Sequence, residues 1–307
     1  MNESTSNLLS KETRETLDGP TSQAVGIPGN WYWSEAFFQE ERRRLFARTW
    51  MFAGYAHELP DAGDAVPVEV AQYAVILTRN AAGTIRAYHN VCPHRGMHLL
   101  TEPLKSAQTI RCPYHSWAFD MDGTLKSTPH WGGFKKHRLE GFDPSCHGLK
   151  SIPCVQWHDW IFVNIDGQAA PFHEYIDSFA GHLTEYNLES LTHAETRPFE
   201  IKANWKIVQE NFIEVLHLPP VHIRLSEYAP FQEHAVVANG NCVGTIIETG
   251  LPSSWAEPAL PRYCRVNATS RTAKNLLLFP TFKLVIGPDH CASMIEFPVS
   301  AEFTRQR

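Results

Sequence analysis

Apolar residues first recur with helical spacing over Glu35–Trp50, where Phe37, Phe38, Leu45 and Phe46 mark one face. That pattern predicts an amphipathic helix, with the basic run Arg42–Arg44 on its solvated side. The preceding stretch, Met1 to about Gly29, is rich in Ser, Thr and Glu and reads as a loose arm. From Trp50 to about Asp166 the period shortens. Apolar or alternating runs occur at Met51–Tyr55, Ala65–Val70, Ala74–Thr78, Ile85–Asn90, Thr109–Arg111, Trp117–Asp120 and Ile161–Asn164. Turn-forming residues at Pro60–Gly63, Asn80–Gly83 and Asp120–Gly123 separate several of them, as in an antiparallel β domain. Beyond Asp166 the pattern is mixed. Pro171–Tyr186 and Asn204–Leu218 are expected to be helical. Asn275–Ile286 and Cys291–Phe303 are expected to form two long strands joined at Gly287-Pro288-Asp289.

Composition narrows the class. A chain of 307 residues, 43% hydrophobic and 20% charged, has room for two domains with real cores. A net charge of −6 gives no basic excess for nucleic acid or an anionic membrane. The polar N-terminus has no apolar signal core, and no run approaches the roughly 18 apolar residues of a membrane span. These features predict a cytoplasmic protein. Its seven cysteines do not form a disulfide framework, and Cys146, Cys154, Cys242, Cys264 and Cys291 read as core or surface thiols.

Two segments carry chemistry of another kind. Cys92-Pro93-His94-Arg95-Gly96 and Cys112-Pro113-Tyr114-His115-Ser116-Trp117 each hold one Cys and one His, with seventeen residues between His94 and Cys112. Thiolates hold ferric iron and lower its potential, whereas two neutral imidazoles on a second iron raise it. An imidazole also has a second ring nitrogen that can release a proton. A zinc finger would present its cysteines and histidines in a different order. Prolines after both cysteines stiffen the loops, and Gly96 permits a tight turn.

The second segment runs from Asn204 to His222. On a helix Asn211, Glu214 and His217 share roughly one face, and Pro219-Pro220 disfavour its continuation past Leu218. His222 then lies beyond the break and can turn back toward His217. Two such histidines are half of a 2-His-1-carboxylate iron site.

The pair C-x-H and C-x-x-H resembles the Rieske ligand motif. Its flanks Asn90-Val91, Arg95-Gly96-Met97 and Ser116-Trp117 resemble those of Rieske oxygenase large subunits. The run Asn-Trp-Lys…Glu-Asn-Phe…Glu-x-x-His-x4-His is similar to the mononuclear iron motif of the same family. The resemblance covers about Gly29 to Phe303 and implies an α+β fold. An antiparallel β Rieske domain (50–166) would precede a helix-grip catalytic domain (167–307), an antiparallel sheet around a long helix. Residues 30–49 would belong to the catalytic domain, and 1–29 would be the arm. It further implies that Cys92, His94, Cys112 and His115 hold a [2Fe–2S] cluster and that His217 and His222 hold Fe(II). Asn211 would be a polar neighbour of that iron. Glu214 would link it to the Rieske histidine of a neighbouring subunit in a head-to-tail homotrimer. Glu at that position is similar to the branch acting on quaternary amines.

The family's third iron ligand, a carboxylate on a C-terminal helix, has no counterpart in the 85 residues after His222. Asp289 reads as a turn former, and Glu227, Glu233, Glu248, Glu257, Glu296 and Glu302 have no motif support, so the chain is expected to be truncated. With no G-x-G-x-x-G site, electrons should come from a separate NAD(P)H-dependent reductase, with or without a ferredoxin. The expected reaction is hydroxylation of a small organic molecule with O2. A quaternary ammonium substrate is the first expectation, with Tyr228, Trp255, Tyr263, Phe279 and Phe282 available for a cation cage. Dihydroxylation of an aromatic ring is the alternative. A Rieske electron carrier without catalysis is the rival of another class.

Overall fold

A computed structural model describes residues 10–17, 19–23, 25–247, 261, 263 and 272–307. Trp255, Cys264, Glu248, Glu257 and the side chain of Tyr228 lie outside the described residues. The chain divides into two compact units, Ala47–Ala169 and Met1–Phe46 with Ala170–Arg307.

The Ala47–Ala169 unit is built from short antiparallel strands in three sheets. Met51–Tyr55, Trp160–Val163 and Cys154–Trp157 form one. Ala65–Val70, Tyr73–Arg79, Ile85–His89 and Ser151–Ile152 form a second. Ile110–Arg111, Ala118–Phe119 and Leu125–Ser127 form the third. Turn chemistry sets the corners. At Asp120–Gly123 the Asp120 carboxylate accepts the N–H groups of Asp122 and Thr124, and Gly123 closes onto the Asp120 carbonyl. Gly123 has φ +77°, and a Cβ there would meet the Tyr88 ring at 2.5 Å, so only glycine fits. The core gathers Ile76, Leu99, Ile110, Trp117, Phe119 and Leu125 around the buried thiols of Cys92 and Cys112.

The other unit carries a seven-stranded antiparallel sheet. Its order is Phe199–Ile201, Phe303–Gln306, Cys291–Ser300, Phe282–Ile286, Ala273–Leu278, Cys242–Ile247, His234–Asn239. Among the described residues no helix is long and apolar enough to cross a membrane.

The mixed fold class holds, but the expected loose arm carries a helix at Lys11–Leu17, and three further elements differ from expectation. The helix expected from Glu35 does not run to Trp50. It spans Glu35–Glu41, capped by the Ser34 hydroxyl, and then widens into a π turn over Arg42–Phe46. Phe38 and Phe46 are eight residues apart, about 80° out of line on an ideal α-helix. The wider turn takes up that offset, and both rings are fully buried. Arg43 and Arg44 are exposed and pair with Glu40. The expected strand Asn275–Ile286 is two strands, because Phe279-Pro280-Thr281 turns the chain where Pro280 has no N–H for a ladder.

The third difference concerns the expected long helix, Asn204–Leu218. It ends at Ile213, and a new short helix starts at Leu218. Pro219 and Pro220 lack N–H donors and fit only a helix's first turn, where no donor is needed. Placing them there requires the earlier helix to stop upstream.

Candidate metal sites

The two Cys/His loops share one backbone frame. In the first, the N–H of Cys92 donates to the Met97 carbonyl, and that of Gly96 donates back to the Cys92 carbonyl, at 2.8 and 2.9 Å. In the second, Cys112 donates to Trp117 and Ser116 donates back to Cys112, at 2.8 and 3.0 Å. The residue four after each cysteine adopts a left-handed conformation, Gly96 at φ +71° and Ser116 at φ +57°. The histidine stands two places after the cysteine in one loop and three places after it in the other. The second loop caps the hairpin of Ile110–Arg111 and Ala118–Phe119. The first is pinned by the buried Asn90, which donates to the Leu100 carbonyl and accepts the N–H groups of Leu99 and Leu100.

These frames bring the four ligand candidates together. The His94 and His115 rings lie 4.7 Å apart. Trp117 stacks on His94 at 4.6 Å and 5°, and Trp131 meets it edge-on at 5.0 Å. Burial holds His94 below the usual imidazole range, reinforced by His115 and Arg95, so the ring is neutral as a ligand must be. Burial pushes the Cys92 thiol up to about 11, and the neighbouring Cys112 thiol raises it in the same direction. No local pattern in the sequence marks Trp131, because thirteen residues lie between it and Trp117.

The residues fit a [2Fe–2S] cluster. Nδ1 of His115 is buried with no hydrogen-bond partner, a costly state that a metal would relieve. Cys92 and Cys112 are free and almost fully buried, which suits thiolates charge-balanced by iron.

The second site is assembled from separate elements. Asn204 caps the helix Trp205–Ile213 and also donates to the Tyr32 and Ala301 carbonyls at 2.9 and 2.6 Å. The Trp205 indole N–H and the Lys206 ammonium both bond Glu41, and Tyr32 donates to Glu210. On the sheet side, Gln209 donates to the buried Glu296, which pairs with Lys283. The Lys283 ammonium lies 4.8 Å over the Phe212 ring. Burial lowers Lys283 and raises Glu296, each opposed by its partner.

Glu214 is the extended residue that ends the helix. Its carboxylate accepts the N–H groups of Leu216 and His217, at 2.7 and 3.3 Å, and bonds the His217 Nδ1. Burial would raise this carboxyl, but those bonds and His217 outweigh it and hold it below the ordinary range. The His217 and His222 rings are 5.1 Å apart. Asn211, Glu214, His217 and His222 all line one cavity of about 400 Å3, with Phe212, Val215, Leu218, Ile247 and Val285 as its apolar wall. An Nδ1–H held by a carboxylate leaves Nε2 of His217 as the metal-binding nitrogen, a donor arrangement that fits Fe(II).

His234 and His290 also line this cavity and carried no motif in the sequence. The hairpin Gly287-Pro288-Asp289-His290 brings His290 in, with Asp289 bonded to its Nδ1 at 2.7 Å. Glu296 is tied up beneath the sheet by Lys283, Gln209 and Gln306. Among the described residues no three His, Cys, Asp or Glu side chains close on a single metal position. Of the aromatic candidates for a cation cage, Tyr263 packs on Tyr186, Phe279 on Trp205 and Phe282 on Phe179, and none of these three lines the cavity.

Comparison with known proteins follows the same division. Residues 49–153 match the Rieske [2Fe-2S] domain, and residues 188–307 match the ring hydroxylating alpha subunit catalytic domain. The carnitine monooxygenase oxygenase subunit of Escherichia coli K12 is 27% identical over 291 residues, 92% of this chain and 74% of that protein. The large oxygenase component of the 2,4-dinitrotoluene dioxygenase system of Burkholderia sp. RASC is 30% identical over 197 residues. That match covers 62% of this chain and only 43% of the relative. A quaternary ammonium Rieske monooxygenase solved with L-carnitine superposes with a TM-score of 0.76 at 25% identity, over 92% of this chain and 74% of that one.

Proposed function

The chain is a Rieske oxygenase alpha subunit, joining a Rieske [2Fe–2S] domain to a ring-hydroxylating catalytic domain, and on that premise we propose that it hydroxylates a quaternary ammonium compound. The observation that carries the proposal is the cavity around His217, His222 and Glu214. Support for the substrate class comes from the relative that acts on carnitine and from the anionic Glu214 at the cavity wall.

In this reading Cys92, His94, Cys112 and His115 hold the cluster, and His217 and His222 hold the iron. When bound, the cluster supplies single electrons and the iron an open position for O2. The chain's own residues do the rest. Glu214 fixes the His217 tautomer and holds a proton at its Nδ1. Asn211 offers a neutral polar contact. Phe212, Val215, Leu218, Ile247 and Val285 exclude water from the wall. Electrons come from a separate reductase, and the working form is a head-to-tail homotrimer.

Three irons per chain, with O2 uptake driven by a quaternary amine, is the expected outcome. Two irons and no mononuclear signal in the reduced protein's EPR would overturn the catalytic reading. Glu214→Gln should cut turnover by about 100-fold or more while leaving the cluster spectrum intact. Unchanged turnover would remove Glu214 from the mechanism. Ring dihydroxylation is the second reading, favoured by the apolar wall and by the dinitrotoluene dioxygenase relative. Assays with an aromatic hydrocarbon beside a quaternary amine separate the two.

A further inference from the structure

We propose that the loop from Thr128 to Arg138 in the Rieske unit is the docking surface for an acidic one-electron donor, an iron–sulfur protein of the plant ferredoxin type. The proposal rests on the oxygenase reading, which requires electrons from a separate protein.

The loop is built, and it is built outward. The Thr128 hydroxyl donates to the His137 carbonyl, and the N–H of His130 donates to the His137 ring. The N–H of Lys135 returns to the His130 ring at 2.9 Å, and Gly132 and Lys136 close the turn between them. His130 and Lys135 both hold positive φ, +60° and +62°, a cost that this network sustains. The product is Phe134, 82% exposed at the tip. It stacks on His130, and the Lys135 ammonium lies 5.5 Å from its ring centroid.

Charge surrounds that ring. Lys135, Lys136 and Arg138 are exposed, and none forms an ion pair among the described residues. Glu140 is the nearest opposing charge in the sequence and is exposed as well. A chain of net charge −6 thus places three unpaired cations around one exposed aromatic. An exposed aromatic centre with a charged rim has the composition of an interface, and the cations select an acidic partner.

The same loop reaches the cluster ligands. Trp131 follows His130, and its ring lies 5.0 Å from that of His94 and 5.2 Å from that of Trp117. A partner seated on Phe134 is therefore connected to a cluster ligand through the Phe134–His130 stack, the peptide bond from His130 to Trp131 and the contact of Trp131 with His94. The step itself balances simply. The reduced donor loses one electron, the oxidised cluster gains it, and no bond or proton changes hands. Plant-type ferredoxins have lower potentials than Rieske centres, so the transfer runs downhill.

The test is stopped-flow reduction of the holoprotein by a photoreduced plant-type ferredoxin. At about 0.01 M ionic strength, Lys135→Glu/Lys136→Glu/Arg138→Glu should slow reduction about tenfold or more. Raising ionic strength to about 0.1 M shortens the Debye length from about 30 to about 10 Å and should slow the wild type but not the triple variant. Phe134→Ser should slow reduction without changing its salt dependence. A neutral photoreductant should reduce all three proteins at one rate, which excludes damage to the cluster. Equal ferredoxin rates in the triple variant and wild type would overturn the proposal. So would a wild type that accepts electrons from the neutral reductant and none from ferredoxin. An altered oligomeric state with unchanged rates would assign the loop to contact with a second copy. Failure of the underlying oxygenase reading shows separately, as two irons per chain.

Discussion

The two candidate metal sites are held by different means. Around Cys92 and Cys112 the main chain closes each loop on itself, and the ligands follow from their positions in that frame. Around His217 and His222 the main chain breaks, and the site depends on side chains from several elements: Glu214 bracing His217, Asn204 and Glu41 gripping the helix, Lys283 and Glu296 beneath it. The first site tolerates no choice about where its ligands stand. The second can move whenever one of its supports does. This suits their chemistry, since an electron relay needs fixed distances and a substrate site must admit and release a molecule.

The contrast can be broken in four ways. The largest effect should come from Cys112→Ser, which should remove all cluster iron and the visible absorption while iron at His217 and His222 is retained. Loss of both would show that the sites are not independent. Next, Lys283→Met leaves Glu296 buried without its counter-charge, at an expected cost of about 3–5 kcal/mol in denaturant melts. The double variant Lys283→Met/Glu296→Leu should recover most of it. An equal loss in both would mean the pair's charge is not what stabilises the helix. Third, Pro219→Ala/Pro220→Ala removes the reason for the helix to restart. Iron affinity at the second site should fall about tenfold or more, with the cluster spectrum unchanged.

The smallest effect is a pH dependence in the Rieske unit. Burial would raise the Asp64 carboxyl, but the N–H of Ser106, the Lys105 ammonium and the N–H of Asp61 outweigh it and hold it low. A carboxyl depressed on folding stabilises the protein fully above its ordinary pKa, and the gain is lost as pH falls through the folded value. Stability of the wild type should therefore drop below about pH 4, and that of Asp64→Asn should drop less. Parallel acid melts would dismiss the role.

What the sequence made legible follows the same contrast. The Rieske loops could be read residue by residue, because each is a local frame of six residues with its ligands inside it. The strands Met51–Tyr55 and Ala65–Val70 emerged with their observed bounds, since turn residues mark them. The break at Glu214 did not emerge. The run Trp205–Leu218 is a good helix by local propensity, and only the demand of Pro219 and Pro220 for a first turn overrides it. Trp131, His234 and His290 were silent for a related reason. Each enters its site by tertiary folding, from a loop, a strand end and a hairpin tip, and carries no neighbour at ligand spacing.

The shared frame of the two Rieske loops makes them portable. Closure uses only main-chain groups of the cysteine, the residue four places on and the residue after it. Pro93, Arg95, Pro113 and Tyr114 supply no closing bond. Each loop is thus a six-residue cassette whose sequence can drift at the other intervening positions, provided the left-handed residue, the cysteine and the histidine stay. Within that shared frame the histidine moves by a single place from one copy to the other, so the same short backbone piece, used twice, would make a nest for two irons.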